Sequence, residues 1–401
     1  MKKKVLIIMP SMFIGGAERS LLGLLDAFDY NVYDVSLFLY RHEGDFLPFI
    51  NEHVRILPAM PEYETFDVPI KALLRSSKFK YGLLRLFAKV KQRLHSKKKP
   101  DETGVWMHMQ KISQSLQKSL PEIPGKYDLG IMFLGVADTL VNKVDAKVKL
   151  AWNHTDYTTL HPDKTYDRKI FRELDYVVSV SEESKKQFLN VYPELQDKAI
   201  VIENILSPEL IRKQSEEESI GMRRNEGETI LLSVGRYSYA KNFDNVPDIC
   251  RRIVESGVPV KWYIIGYGGD EAIIKQKIEE NDMQAHVILL GKKTNPYPYI
   301  KNCDIYVQPS RFEGKCVTVR EAQILHKPVV ITNYASSKSQ LDDGVDGVIV
   351  PLDNKQCAEG ISAFIVNADH QGKVIRGTYD KDYSNKAEVE KIVSVLENCG
   401  F

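Results

Sequence analysis

The sequence predicts an α/β protein made of two doubly wound, parallel-sheet domains. Short apolar, β-branched runs recur along the whole chain, many of them apolar at consecutive positions, as strands buried on both faces must be. Helical patterns alternate with them, and the series restarts halfway. The 401 residues leave room for two or three domains, and 43% hydrophobic, 27% charged and 9% aromatic residues exclude disordered, collagen-like and coiled-coil classes. Lys+Arg 55 against Asp+Glu 54 gives a net charge of +1, which argues against a whole-chain nucleic-acid binder. No apolar run approaches the ~18 residues of a membrane span.

The opening Met1–Pro10 is too short in its apolar part for an export signal and reads as a first buried strand. Strands are expected in the first half at Val5–Met9, Val35–Tyr40, Val54–Leu57, Leu129–Leu134, Val148–Trp152, Tyr176–Val180 and Ile200–Ile202. The second half continues at Ile230–Val234, Val260–Ile265, Val287–Leu290, Ile305–Gln308, Val329–Thr332 and Val348–Val350. Helical periodicity marks Ala17–Phe28, Ser181–Asn190, Asp270–Asn281, Val319–Leu325 and the tail Asn385–Asn398. Glu203–Ile220 carries Pro208 and an acidic run without a strand pattern, so a linker is expected near Asn204–Ser207. Domains are therefore expected over 1–205 and 206–380, with a final helix over 381–401. The five cysteines, Cys250, Cys303, Cys316, Cys357 and Cys399, are scattered and odd in number, which fits a reducing cytoplasm better than a disulfide framework or zinc site.

Val68–Pro100 breaks the charge balance, with eleven Lys or Arg and no acid. Leu83, Phe87, Val90 and Leu94 recur at helical spacing, with Arg85, Lys89 and Arg93 elsewhere around the turn. Two readings stand side by side. One is a surface helix whose stripe packs on the first domain. The other is a patch in 71–99 that meets an anionic membrane or a pyrophosphate-bearing acceptor.

Ligands of such sheets bind beyond the carboxyl ends of the strands, so loops after strands carry the candidate sites. Ser11–Glu18 follows the first strand and opens a helix; Gly15 and Gly16 suit a tight turn and close approach to a phosphate at the helix start. It lacks the full dinucleotide fingerprint. After the Ile230–Val234 strand come Gly235 and Arg236, then Lys241, two cations suited to a diphosphate and its leaving-group charge. After Ile305–Gln308 come Glu313 and Gly314, and Glu321 is expected near the start of the next helix. The Glu313/Glu321 spacing alone means nothing, since Glu209/Glu217, Glu218/Glu226 and Glu271/Glu279 repeat it. Its place after a strand and across a helix start distinguishes it.

These residues resemble the retaining glycosyltransferase family 4, of GT-B fold. The resemblance rests on the Gly15-Gly16-Ala17-Glu18 loop, Trp152-Asn153-His154, Val178–Ser181, Val234-Gly235-Arg236 with Lys241, Pro309–Gly314, and Glu321-Ala322 before Lys327–Val330. It implies two Rossmann-like domains facing a cleft, an acceptor-binding first domain and a nucleotide-sugar-binding second one, with the last helix crossing back to the first. It further implies that Arg236 and Lys241 hold the diphosphate, Glu313 the sugar hydroxyls and Glu321 the ribose, with His154 by the transferred sugar. Gly15 and Gly16 would approach the donor, and Gly314, Lys315, Cys316, Val317 and Thr318 would line it. Lys315 and Cys316 depart from the family's commoner aromatic and small residue, and Cys316, with no paired histidine, reads as pocket lining rather than a nucleophile.

The expected activity is transfer of a sugar from a nucleotide sugar, UDP-linked, to a hydroxyl of a saccharide acceptor, lipid-linked, in capsule, exopolysaccharide or other surface-glycan synthesis. No cofactor and no metal are expected, Asp380-Lys381-Asp382 lying far from the site in sequence. The expected location is the cytoplasm or the inner face of the plasma membrane. A non-catalytic transferase-like partner or glycan-binding subunit is the alternative; a two-domain solute-binding protein is disfavoured by the missing export signal.

Overall fold

The computed structural model describes residues 2–95, 102–155, 157–160 and 162–398. Met1, Lys97, Lys98, Lys99, Pro100 and Cys399, which enter the readings above, lie outside them, as do the side chains of Arg93 and Leu94. The chain divides into two compact units, Met1–Ile205 with Lys386–Phe401, and Leu206–Asn385.

The first unit holds a seven-stranded parallel sheet of order β3-β2-β1-β4-β5-β6-β7. Its strands are β1 Lys3–Met9, β2 Tyr33–Leu39, β3 Arg55–Ile56, β4 Lys126–Met132, β5 Asp145–Asn153, β6 Tyr176–Ser179 and β7 Ala199–Val201. Side chains alternate across a strand, and β1 shows why its apolar run is unbroken. Val5, Ile7 and Met9 enter one core, while Leu6 and Ile8 enter a second on the other face. The tail helix Glu388–Asn398 belongs to this unit: Ile392, Val395 and Leu396 are buried in the first of those cores.

The second unit repeats the plan in six parallel strands, order β10-β9-β8-β11-β12-β13. They are β8 Thr229–Val234, β9 Val260–Ile265, β10 Val287–Gly291, β11 Ile305–Gln308, β12 Val329–Thr332 and β13 Val348–Val350. The unit starts at Leu206, within the stretch Asn204–Ser207 expected as a linker, and runs to Asn385, beyond the expected limit at 380; just after that stretch comes a helix, Pro208–Gln214, opened by proline at its first position. In both sheets strand order reverses beside the first strand, between β1 and β4 and between β8 and β11, and the loops diverging there open the crevice in which such sheets bind ligands.

The basic segment forms a helix, Phe79–His95, that corrects the packing expectation. Leu83, Phe87 and Val90 are exposed, whereas Arg85 is buried. Its guanidinium reaches the carbonyl oxygens of Thr65, at 2.9 Å, and Val68. Two acceptors in reach turn the cation inward.

Candidate functional site

In the second unit the site grows from the ends of β8 and β11. β8 passes through Gly235 and Arg236 into a single turn, Tyr239–Lys241, closed by Asn242 in the left-handed conformation (φ 60°). Asparagine tolerates that conformation better than other residues with a side chain. Gly266, at the end of β9, is required by contact: a Cβ there would stand 1.9 Å from the Gly235 carbonyl oxygen. The turn delivers Lys241 Nζ to 2.6 Å from Glu313 Oε1, in the loop after β11, and both side chains are largely buried. Burial by itself favours the neutral amine, but the Glu313 carboxylate outweighs it and holds the Lys241 ammonium above its ordinary range.

A chain of side chains leading off β11 orients Glu313. Gln308 Nε2 donates to Ser310 Oγ at 2.8 Å, and Ser310 Oγ donates to Glu313 Oε1 at 2.6 Å. Ser336 Oγ donates to the Glu313 carbonyl at 2.8 Å. Glu313 Oε2 has no hydrogen-bond partner among the described residues, so it remains open to a ligand hydroxyl.

The helix Val317–Ile324 starts at Cys316 without a side-chain cap, leaving first-turn N–H groups and the positive dipole end for an anion. The Cys316 amide itself is taken by Gln340 Oε1 at 2.7 Å. Cys316 and Val317 are buried. Burial, with Glu313 adding to it, pushes the Cys316 thiol up to about 11, which keeps it protonated at neutral pH and fits lining rather than nucleophilic attack. Thr318 Oγ1 lies 2.6 Å from the Tyr306 hydroxyl. Lys315 is buried and donates to the Ser339 carbonyl at 2.7 Å. Glu321 is not near the helix start as expected: it stands in the second half, fully buried, and accepts from the Tyr297 hydroxyl at 2.9 Å.

The structure therefore brings Lys241, Glu313 and the Gly314–Thr318 backbone together, with Arg236 on the exposed side of Lys241. Arg236 is exposed, though near enough to oppose the charge on Lys241. Sequence reasoning missed Arg311. Its guanidinium holds both Asp244 carboxylate oxygens, at 2.8 and 2.7 Å, donates to the Tyr239 carbonyl at 2.6 Å and lies 4.1 Å from the Tyr239 ring centre. Its position two residues before Glu313 was the only available signal.

In the first unit, Gly15 and Gly16 lie where β1 gives way to the helix Gly16–Ala27. Gly15 is extended (φ −167°), backbone that any residue adopts, and the flexible end of the Glu18 side chain folds over it. His154 follows β5. Its Nε2–H donates to the Phe133 carbonyl, just past β4, at 2.9 Å. Burial pulls its pKa down to about 4, against that hydrogen bond. The imidazole is thus neutral at neutral pH and presents Nδ1 as an acceptor. It shares a cavity lining with Leu134, Gly135, Trp152, Trp106 and Tyr157.

Among the described residues no group of three or more His, Cys, Asp or Glu has metal-holding geometry. Lys381, between the two tail aspartates, pairs with Asp342 and Asp346 at 2.5 and 2.8 Å.

Residues 214–381 match the family model of glycosyl transferases group 1. The poly(ribitol-phosphate) alpha-N-acetylglucosaminyltransferase of Staphylococcus aureus is 24% identical over 176 residues, 43% of this chain and 36% of that protein. The N-acetylgalactosamine-N,N'-diacetylbacillosaminyl-diphospho-undecaprenol 4-alpha-N-acetylgalactosaminyltransferase of Campylobacter jejuni is 29% identical over 143 residues, 34% of this chain and 38% of that protein. These matches span little more than a third of either relative's length. Anabaena HepE, solved with UDP and glucose, superposes over 98% of this chain and 99% of its own, with a TM-score of 0.67 at 16% identity. The fold is GT-B. The stretch that resembles group 1 glycosyl transferases, residues 214–381, contains the whole second sheet and the Lys241–Glu313 pair.

Proposed function

We propose that the chain is a retaining glycosyltransferase that moves a sugar from a UDP-sugar to a hydroxyl of a lipid-linked saccharide, in assembly of a capsule, exopolysaccharide or related surface glycan. The observation that carries this reading is the Lys241–Glu313 pair, 2.6 Å apart at the ends of β8 and β11, beside an uncapped helix start. Lys241, Arg236 and the first-turn N–H groups of Val317–Ile324 stabilise the diphosphate as the sugar–oxygen bond breaks. The acceptor hydroxyl attacks from the face the diphosphate leaves, its oxygen forms the new glycosidic bond, and its proton passes to a leaving phosphate oxygen. Glu313 Oε2 accepts from a sugar hydroxyl, Glu321 from the ribose, and neutral His154 offers Nδ1 to the transferred sugar.

No metal enters this scheme, so activity is expected to persist in excess EDTA; loss restored by magnesium or manganese would overturn that part. The reaction is set in the cytoplasm, where nucleotide sugars are made, in keeping with the four buried free thiols Cys250, Cys303, Cys316 and Cys357. The deciding experiment is transfer or hydrolysis assayed over a panel of nucleotide sugars, with Arg236→Ala and Lys241→Ala. Each variant should lose about two to three orders of magnitude in turnover, the scale of a preorganised transition-state contact. Undiminished turnover in both would remove these cations from the mechanism, and an inert wild type would favour a non-catalytic glycan-binding subunit.

A further inference from the structure

The helix Phe79–His95 is held to the first unit by one face. On that face the Tyr81 hydroxyl donates to the Ser119 carbonyl at 2.9 Å, Arg85 is anchored on Thr65 and Val68, and Ala88 is fully buried. The opposite face is apolar and turned outward. Phe79 is 55% exposed, Leu83 52%, Leu86 43% and Val90 48%, with Phe87 beside them also exposed. Spacings of four, three and four residues keep these side chains on one line of a helix with 3.6 residues per turn. The same geometry sets exposed Lys80 and Lys89 on either side of the line. Lys71 and Arg75, just upstream, are exposed as well.

A stripe of large apolar side chains between lysines does not suit a helix facing only water. Charge selects the occupant. A second copy docking symmetrically here would bring two acid-free basic segments against each other. An anionic bilayer instead accepts the apolar side chains below its headgroups and the lysines among them. No helix among the described residues is long and apolar enough to cross a membrane. We propose that Phe79–His95 lies in the interface of an anionic bilayer, with Phe79, Leu83, Leu86 and Val90 inserted and Lys80 and Lys89 at the headgroups. This surface goes beyond the transferase reading and does not depend on it, since vesicle binding needs no donor.

The test is co-sedimentation of the full chain with vesicles of phosphatidylglycerol mixed with phosphatidylcholine, and of phosphatidylcholine alone. Wild type should bind the first and not the second, and added salt should weaken it. Lys80→Gln with Lys89→Gln should weaken binding about thirtyfold, the factor for two interfacial charges. Leu83→Glu with Val90→Glu should weaken it by about two orders of magnitude. All four positions are exposed, so both double variants should keep the wild-type melting temperature and donor turnover. Arg85 is left alone, because its removal would break the fold's own contacts. Failure of wild type to bind anionic vesicles, equal binding by the Glu variant, or a wild-type dimer that this variant splits would each overturn the proposal.

Discussion

Arg311 ties together the loops that carry the candidate site. One guanidinium grips Asp244, the Tyr239 carbonyl and the Tyr239 ring, and its own amide donates to Ala240 at 2.8 Å, so the Lys241 turn and the Glu313 loop are held as one piece. A planar fork makes these contacts together and an ammonium cannot. Arg311→Lys should therefore lower kcat by about ten- to a hundredfold through misplacement of Lys241 and Glu313, with a smaller change in donor KM. Asp244→Asn should mimic it, and the double variant should be no worse than the single ones, as expected of two groups acting as a unit. Additive losses, or a change in KM alone, would show that Arg311 does not position the pair.

At the scale of elements, the helix Glu102–Leu116 is joined to the first unit through buried carboxylates. Ser113 and Tyr166 donate to Asp138 at 2.5 and 2.6 Å; Gln110 and Tyr192 donate to Asp167, the latter at 2.6 Å. Burial pushes Asp138 up to about 6 and Asp167 up to about 7, only partly offset by those hydrogen bonds. Between the ordinary carboxylate range near pH 4 and pH 7 the folded unit thus binds more protons than the unfolded chain, and these groups make stability fall as pH rises. His154 acts in the opposite sense between about pH 4 and 6.5, since its folded pKa is depressed. Asp167→Asn removes one of the titrating carboxyls at nearly constant volume. Its melting temperature relative to wild type should therefore climb from pH 5.5 to pH 8; a difference that stays flat across that range would mean Asp167 titrates normally.

For the whole molecule, the notable feature is a chain that leaves the first unit after Ile205 and rejoins it at Lys386. The last helix completes the first core with Ile392, Val395 and Leu396, and is held further by Lys391 Nζ, 3.3 Å from the Val201 carbonyl. Stopping the chain after Asn385 uncovers that core and should destabilise the first unit by roughly 5 kcal/mol, at about 1.5–3 kcal/mol for each buried aliphatic side chain. Hydrogen exchange checks this: amides of β1–β7 should lose protection while those of β8–β13 keep theirs. Unchanged exchange in the first sheet would show the helix to be dispensable.

Local pattern was enough for the strands, because a strand covered on both faces must be apolar along its length, and β1 and β8 are written that way. It also placed Gly235-Arg236 and Glu313-Gly314 in loops after strands, since both directly follow such runs. The amphipathic period of Phe79–His95 was also legible, but not which side faces in, because a period describes a face and not its neighbour. Packing decided that when Arg85 found two carbonyls and turned Leu83 and Val90 outward. Nor does the sequence reveal that Lys241 meets Glu313, or Arg311 meets Asp244, across separations of 72 and 67 residues. Those contacts exist because β8 and β11 are neighbours in the sheet, and strand order is a property of the folded chain rather than of any segment within it.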